Sequence, residues 1–227
     1  EGVRGLEDLG FERVVLSREL NLKEIERIRK DCPDVELKAF IHGALCYGFS
    51  GLCSASAIKC SRSANKGECA QICRSWFIDE EDGEKGYFFS MEDMMARERV
   101  LELERIGIDS LKVAGRLKSP EYCAAVAEYY RAIRDRKKAT REEEERVTTT
   151  FLRKSGDGYL SYAPERPSLL SEGYPGHLGL KLGEIIREEG PYRTLRTDSK
   201  IENHDGLMYF IPGSQGLMEG KKFSAQN

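Results

Sequence analysis

The spacing of apolar and polar positions changes period several times along the chain. Residues 10–17 (GFERVVLS) predict a short buried strand, β-branched in its middle. NLKEIERIRKDC follows, with Asn21 placed as an N-cap and Glu24 three positions later; Leu22, Ile25 and Ile28 keep helical spacing. Residues 35–43 (VELKAFIHG) predict a second strand that ends in glycine just before a cysteine-rich segment. After that segment come GYFFSMEDM, a helix around residues 97–106 and a strand in DSLKVAGR. The strongest helix pattern is SPEYCAAVAEYYRAIRDRKK. There Ser119 can cap, Pro120 suits the first turn, and Tyr122, Val126, Tyr130 and Ile133 share one face.

Strands alternating with helices are the grammar of a parallel α/β fold. Only three or four such units are present, whereas an eight-fold barrel typically needs about 250 residues. The first strand also starts almost at residue 1. The expected fold is therefore α/β: the later half of a TIM-type (β/α) barrel, with the earlier half absent from this chain. Around residues 141–150 the pattern dissolves into REEEERVTTT, and SYAPERPSLLSEGYPGHLG reads as a linker rich in Pro, Gly and Ser. From residue 178, LGLKLGEII, PYRTLRTD and GLMYFIP predict short antiparallel strands of a small C-terminal β-barrel. The expected division is 1–140 for the partial barrel, 141–177 for the linker and 178–227 for the small domain.

With 40% hydrophobic and 33% charged residues, the composition suits a soluble globular protein. No run approaches the roughly 18 apolar residues of a membrane span, and the first residues do not read as a signal peptide, so a cytoplasmic location is expected. A formal net charge of −3 gives no overall push towards nucleic acid or anionic membrane. Glu, Lys and Arg outnumber Asn and Gln, a composition that resembles a thermophile's.

Five of the seven cysteines fall between His42 and Trp76. An odd cysteine count without a secretion signal favours metal or iron–sulfur ligation over a disulfide framework. The spacing C-x6-C-x6-C-x8-C-x3-C (Cys46, Cys53, Cys60, Cys69, Cys73) is interleaved with Gly43, Gly48, Gly51 and Gly67, which let a backbone turn sharply enough for thiolates to converge. No tight C-x2-C knuckle of the zinc-ribbon kind is present. Long, irregular spacings sit more comfortably around a larger iron–sulfur cluster, but spacing leaves the choice of metal open.

HGALC, SGLC, ANKGECAQICRSWF, YFFSMEDM and GIDSLKVAGRLKSPEYCAAVAEYYRAI, in that order, resemble the collagenase-like peptidase family thirty-two of unknown catalytic type. The likeness runs from about residue 10 to 133 and continues more weakly into the terminal domain. It implies a TIM-type barrel with a four-cysteine site for a 4Fe-4S cluster, mapped onto Cys46, Cys53, Cys69 and Cys73, where zinc is also possible. Cys32, Cys60 and Cys123 fall outside that pattern. Better understood members hydroxylate a base of tRNA or rRNA, or a quinone precursor, without molecular oxygen, and prephenate is the implied donor. Two positions depart from the family: Leu52 replaces an arginine before the second cysteine, and Ala114 replaces a glutamate in the strand motif.

His42, Lys112 and Arg116 are the candidate catalytic residues, since they lie at strand ends where a barrel builds its active site. His42 suits substrate positioning, a hydrogen bond to a cluster ligand, or a purely structural role. Arg116 suits a carboxylate or phosphate, or else a salt bridge; Arg74 and Lys118 share that ambiguity. The run Arg131, Arg134, Arg136, Lys137, Lys138 and Arg141 suits RNA phosphates or a solvated helix end. His177 and His204 read as surface residues. Three functions compete: an iron–sulfur RNA hydroxylase, a metal-dependent peptidase as the family name states, and a non-catalytic module with structural zinc. The peptidase reading lacks an HExxH or GxSxG motif.

Overall fold

The structure is a computed structural model that describes residues 1–50, 52–136, 138–161, 169–171, 173–203, 205–212 and 218–224. His204 and Lys137 lie outside the described residues. In chain order the elements are α1 (Gly2–Asp8), β1 (Arg13–Val15), α2 (Leu22–Asp31), β2 (Glu36–Ala44) and α3 (Ala55–Cys60). Then follow β3 (Phe77–Ile78), β4 (Lys85–Gly86), β5 (Asp93–Met95), α4 (Arg99–Ile106), β6 (Ser110–Val113), α5 (Pro120–Arg136) and α6 (Arg141–Thr150). The chain continues through β7 (Ser155–Gly156), β8 (Gly183–Glu189), β9 (Tyr192–Thr197), β10 (Gly206–Pro212) and β11 (Met218–Ser224).

The fold is α/β. β1, β2 and β6 run parallel, with β2 between the other two. The intervening helices form as their sequences dictate. Asn21 and Glu24 close a reciprocal capping box on α2. Ser119 accepts from the Tyr122 N–H at 3.2 Å to start α5. Gly107, in the left-handed region at φ +92, ends α4. One face of β2 (Leu37, Ala39, Ile41) joins a core with Ile25 of α2, Val100 and Leu103 of α4, and Val126 and Ile133 of α5.

Two features differ from the sequence reading. The sheet is mixed, because β5 pairs antiparallel with the end of β2 and carries β7 beside it in parallel. β5 is three residues long and wholly buried, so it has no alternation to betray it. Residues 141–150, expected as linker, form α6. A capping box of Thr140 and Glu143 starts it, Val147 is its buried anchor, and the pairs Arg136–Glu143 and Arg141–Glu145 brace its surface. The expected terminal strands are present and pair as two antiparallel hairpins, β8–β9 and β10–β11.

A one-residue bulge interrupts the β2–β6 ladder between Phe40 and His42. Such a bulge re-aims the following side chain. His42 is thereby turned into the helical layer against α5 and is 1% exposed.

Candidate cysteine site

The loop from Leu45 to Trp76 leaves the end of β2 and is shaped by left-handed turns. Ser61 (φ 52) ends α3, Gly67 (φ 88) ends a short 3-10 turn, and Gln71 (φ 56) opens another at Ile72–Arg74. Glu19 pins the near side by accepting from the Ser50 N–H at 2.9 Å and from its hydroxyl. Arg116 pins the far side, donating to the Gly67 carbonyl at 2.6 Å. A Cβ on Gly48 would lie 2.9 Å from the Cys53 Cβ, so only glycine lets that cysteine approach.

All seven cysteines are free thiols. Cys46, Cys69 and Cys73 are electrostatic neighbours. Burial raises the Cys73 thiol pKa, Arg74 opposes the rise, and the adjacent Cys46 and Cys69 add to it. The Gln71 N–H donates to Cys69 Sγ at 3.3 Å, and the Tyr47 backbone hydrogen-bonds Cys73. Buried Ser56 takes the Ala70 N–H at 3.0 Å and lies 4.0 Å from Cys69 Sγ. Among the described residues, no three Cys, His, Asp or Glu side chains are gathered closely enough to hold a single metal ion. Two of the four loop thiols, Cys69 and Cys73, receive backbone hydrogen bonds, and thiols are the donor type that an iron–sulfur cluster takes.

Arg74, next to Cys73, leads into a buried charge network. Its guanidinium donates to the Met91 carbonyl (2.6 Å), Ser90 Oγ (3.1 Å), the Leu45 carbonyl (3.3 Å) and Asp93 (3.4 Å). Asp93 also takes both its oxygens to Arg153 at 3.2 Å. Arg153 lies 4.7 Å over the Phe151 ring, whose face also receives the Lys118 amine. Burial, and then Arg153, lower the Lys118 pKa to about 8, with Asp93 holding it back. Arg74 and Arg153 also floor a pocket of about 470 Å³ with Trp76, Tyr87 and Tyr174 in its walls. Asp93 and Arg153 were missed in the sequence because they are 60 residues apart with no shared local pattern.

The other expected site residues scatter. His42 faces α5, where Tyr130 donates its only proton to the Ile41 carbonyl (3.0 Å) and takes the Ala96 N–H (3.1 Å). His42 Nδ1, 3.2 Å from the Tyr130 oxygen, must therefore be the protonated nitrogen. Burial lowers its pKa to about 4, with Arg97 and Lys118 adding to the effect. Lys112 stands opposite Phe40 on the neighbouring strand, and its pKa is lowered by burial and by Arg18 and Lys38. Leu52 is 76% exposed, and Ala114 closes on Gly43. His177 is not a free surface group: its ring stacks on Phe151, and its Nδ1 accepts from the Leu152 N–H at 3.0 Å. Cys123 is exposed at the start of α5. The basic run is mostly paired with acids: Arg131 with Asp135, Arg134 with Glu104, Arg136 with Glu143 and Arg141 with Glu145.

A family model described as Peptidase family U32 matches residues 1–169. The chain belongs to peptidase family U32. Proteins similar to it include the 23S rRNA 5-hydroxycytidine C2501 synthase of Escherichia coli, 30% identical over 93% of this chain and 35% of that protein. The tRNA hydroxylation protein P of Helicobacter pylori is 36% identical over 56% of this chain and 34% of its own length. The Collagenase of Porphyromonas gingivalis is 31% identical over 87% of this chain and 49% of its own length. The chain thus spans about a third to a half of the length of these relatives. No solved structure matches it. No described helix is long and apolar enough to cross a membrane.

Proposed function

We propose that this chain is the cysteine-bearing part of an oxygen-independent RNA hydroxylase, working in the cytoplasm with prephenate as oxygen donor. The observation that carries the reading is a loop bearing the free thiols Cys46, Cys53, Cys69 and Cys73, the last two with backbone hydrogen bonds at sulfur, in a family U32 chain. Two of its relatives bear the names of an rRNA hydroxycytidine synthase and a tRNA hydroxylation protein. Cys46, Cys53, Cys69 and Cys73 would hold a 4Fe-4S cluster, which when bound supplies one-electron redox chemistry.

The chain's own residues prepare the place. Arg74 brings a buried positive charge beside Cys73 and opposes the rise that burial imposes on its thiol pKa. The Gln71 and Tyr47 backbones share the charge that gathers on sulfur. Arg116 and Glu19 anchor the loop at opposite ends. His42 stays neutral and holds α5 against β2, which makes it a positioning residue of the scaffold. The parallel β1, β2 and β6 support placement of this segment in a TIM-type barrel.

The peptidase reading has two relatives' names behind it, the Collagenase of Porphyromonas gingivalis and an uncharacterized protease of Methanocaldococcus jannaschii. The neutral, enclosed His42 offers a scissile bond no accessible base, and there is no HExxH motif. Mass spectrometry of RNA nucleosides from a deletion strain tests the proposal. One nucleoside should lose a single oxygen, restored by the intact gene and not by Cys69→Ser. An unchanged nucleoside profile refutes it.

A further inference from the structure

The pocket beside Cys73 has a chemistry that the ligand loop alone does not explain. Its volume of about 470 Å³ falls within the range of small-ligand sites. Trp76 is 45% exposed at its wall and meets Tyr87 edge-on, with ring centroids 5.0 Å apart at 81°. Tyr174 forms a further wall, and Gly176 leaves it room: a Cβ there would come within 2.5 Å of the ring. No carboxylate is among the lining residues. Behind them, Arg74 and Arg153 both pair with Asp93 and Lys118 lies close to the same groups, so positive charge outweighs negative among these described residues. Both guanidiniums are held by protein acceptors, and they act on a ligand largely through their field. Gln71, whose backbone N–H is tied to Cys69 Sγ, brings an amide donor and acceptor to the rim.

We propose that this pocket receives one unpaired RNA base, stacked against Trp76, with the phosphates on either side drawn by the positive floor. The proposal rests on the RNA reading above and adds where the nucleotide sits. An aromatic wall accepts any base face, while a base inside a duplex is already stacked and cannot enter. A base seated here would lie against Gln71, Arg74, Ser75 and Trp76, in the same loop as Cys69 and Cys73. A purely anionic small molecule would use the charge but leave the aromatic walls without a role.

Trp76 is the single tryptophan of the sequence, so its emission reports on this pocket directly. The unmodified protein is titrated with a short single-stranded RNA and with the same strand annealed to its complement. Acrylamide quenching is read at each saturation point, and anisotropy of the labelled strand gives affinity. The single strand should shield Trp76 from acrylamide and the duplex should not. Trp76→Ala should weaken single-strand binding by about 5- to 150-fold, the range for loss of one base–aromatic stack, while Trp76→Phe stays close to the parent. Because the quenching measurement needs no substitution, a misfolded variant cannot decide the matter. Unchanged acrylamide access at saturation, equal protection by duplex, or no binding of the strand overturns the proposal. None of these readouts needs turnover. Shielding of Trp76 together with an unaltered nucleoside profile would retain the base pocket and discard the hydroxylase reading; the converse result would discard the pocket alone.

Discussion

Replacing Asp93 by alanine is the sharpest perturbation of the network beneath the site. The Asp93 side chain is 5% exposed, and its partners Arg74 and Arg153 are 7% and 11% exposed. Truncation would leave two buried guanidiniums without the carboxylate they share. Removing one partner of a buried ion pair costs about 3–5 kcal/mol, mostly because the orphaned charge remains desolvated. Arg74 keeps three other acceptors and Arg153 keeps the Pro175 carbonyl, which places the expected loss at the lower end, about 3 kcal/mol. With a urea slope of about 1–3 kcal/mol per molar, the midpoint followed by circular dichroism should fall by at least about 1 M. Adding Arg153→Met to Asp93→Ala removes one orphaned charge and should recover part of the loss, a non-additivity that a double-mutant cycle measures. Asp93→Asn keeps an acceptor oxygen and should fall between parent and alanine. If Asp93→Ala costs less than about 1 kcal/mol, or the double variant is simply additive, the buried-charge reasoning is wrong.

Further outcomes follow from the same geometry. The folded protein holds the His42 pKa at about 4, below its ordinary 6.5. The unfolded chain therefore takes up that proton first as pH falls. Stability present above pH 6.5 is lost towards pH 4, by up to about 3 kcal/mol, and urea melts should show that loss shrinking in His42→Gln. Lys118, with its pKa lowered to about 8, should acylate ahead of the other lysines at pH 8 when labelled peptides are quantified, and Phe151→Leu should change that lead. Gly43→Ala should cost at least about 1–3 kcal/mol, since its φ is +122 and the new Cβ would meet the Ala114 Cβ at 2.7 Å; a smaller shift in thermal melting contradicts the close approach. Cys69→Ser should lose bound iron on anaerobic purification, whereas Cys60→Ser, in the exposed end of α3, should retain it.

Much of the scaffold could be read in advance because its signals are local. Asn21 with Glu24, and Ser119 with Pro120, announce α2 and α5 within a few residues, and those caps form as expected. α6 escaped because REEEERVTTT carries one buried apolar residue, Val147, and owes its ends to a capping box and its surface to ion pairs rather than to periodicity. The cysteine loop was legible as a loop, since its glycines and cysteines are sequential. The role of His42 was not: a bulge after Phe40 turns the side chain away from the face that strict alternation predicts. Asp93 and Arg153 meet only after β5 and β7 pair, a contact that no short window of sequence contains.

The account depends on the sulfurs of Cys46, Cys53, Cys69 and Cys73 sharing one inorganic centre. Iron and sulfide analysis of anaerobically purified protein, read with its visible absorption, tests that most directly. A brown protein with about four irons per chain, lost together with colour in Cys69→Ser, is the predicted result. A colourless protein without iron, or one holding a single zinc, would contradict it.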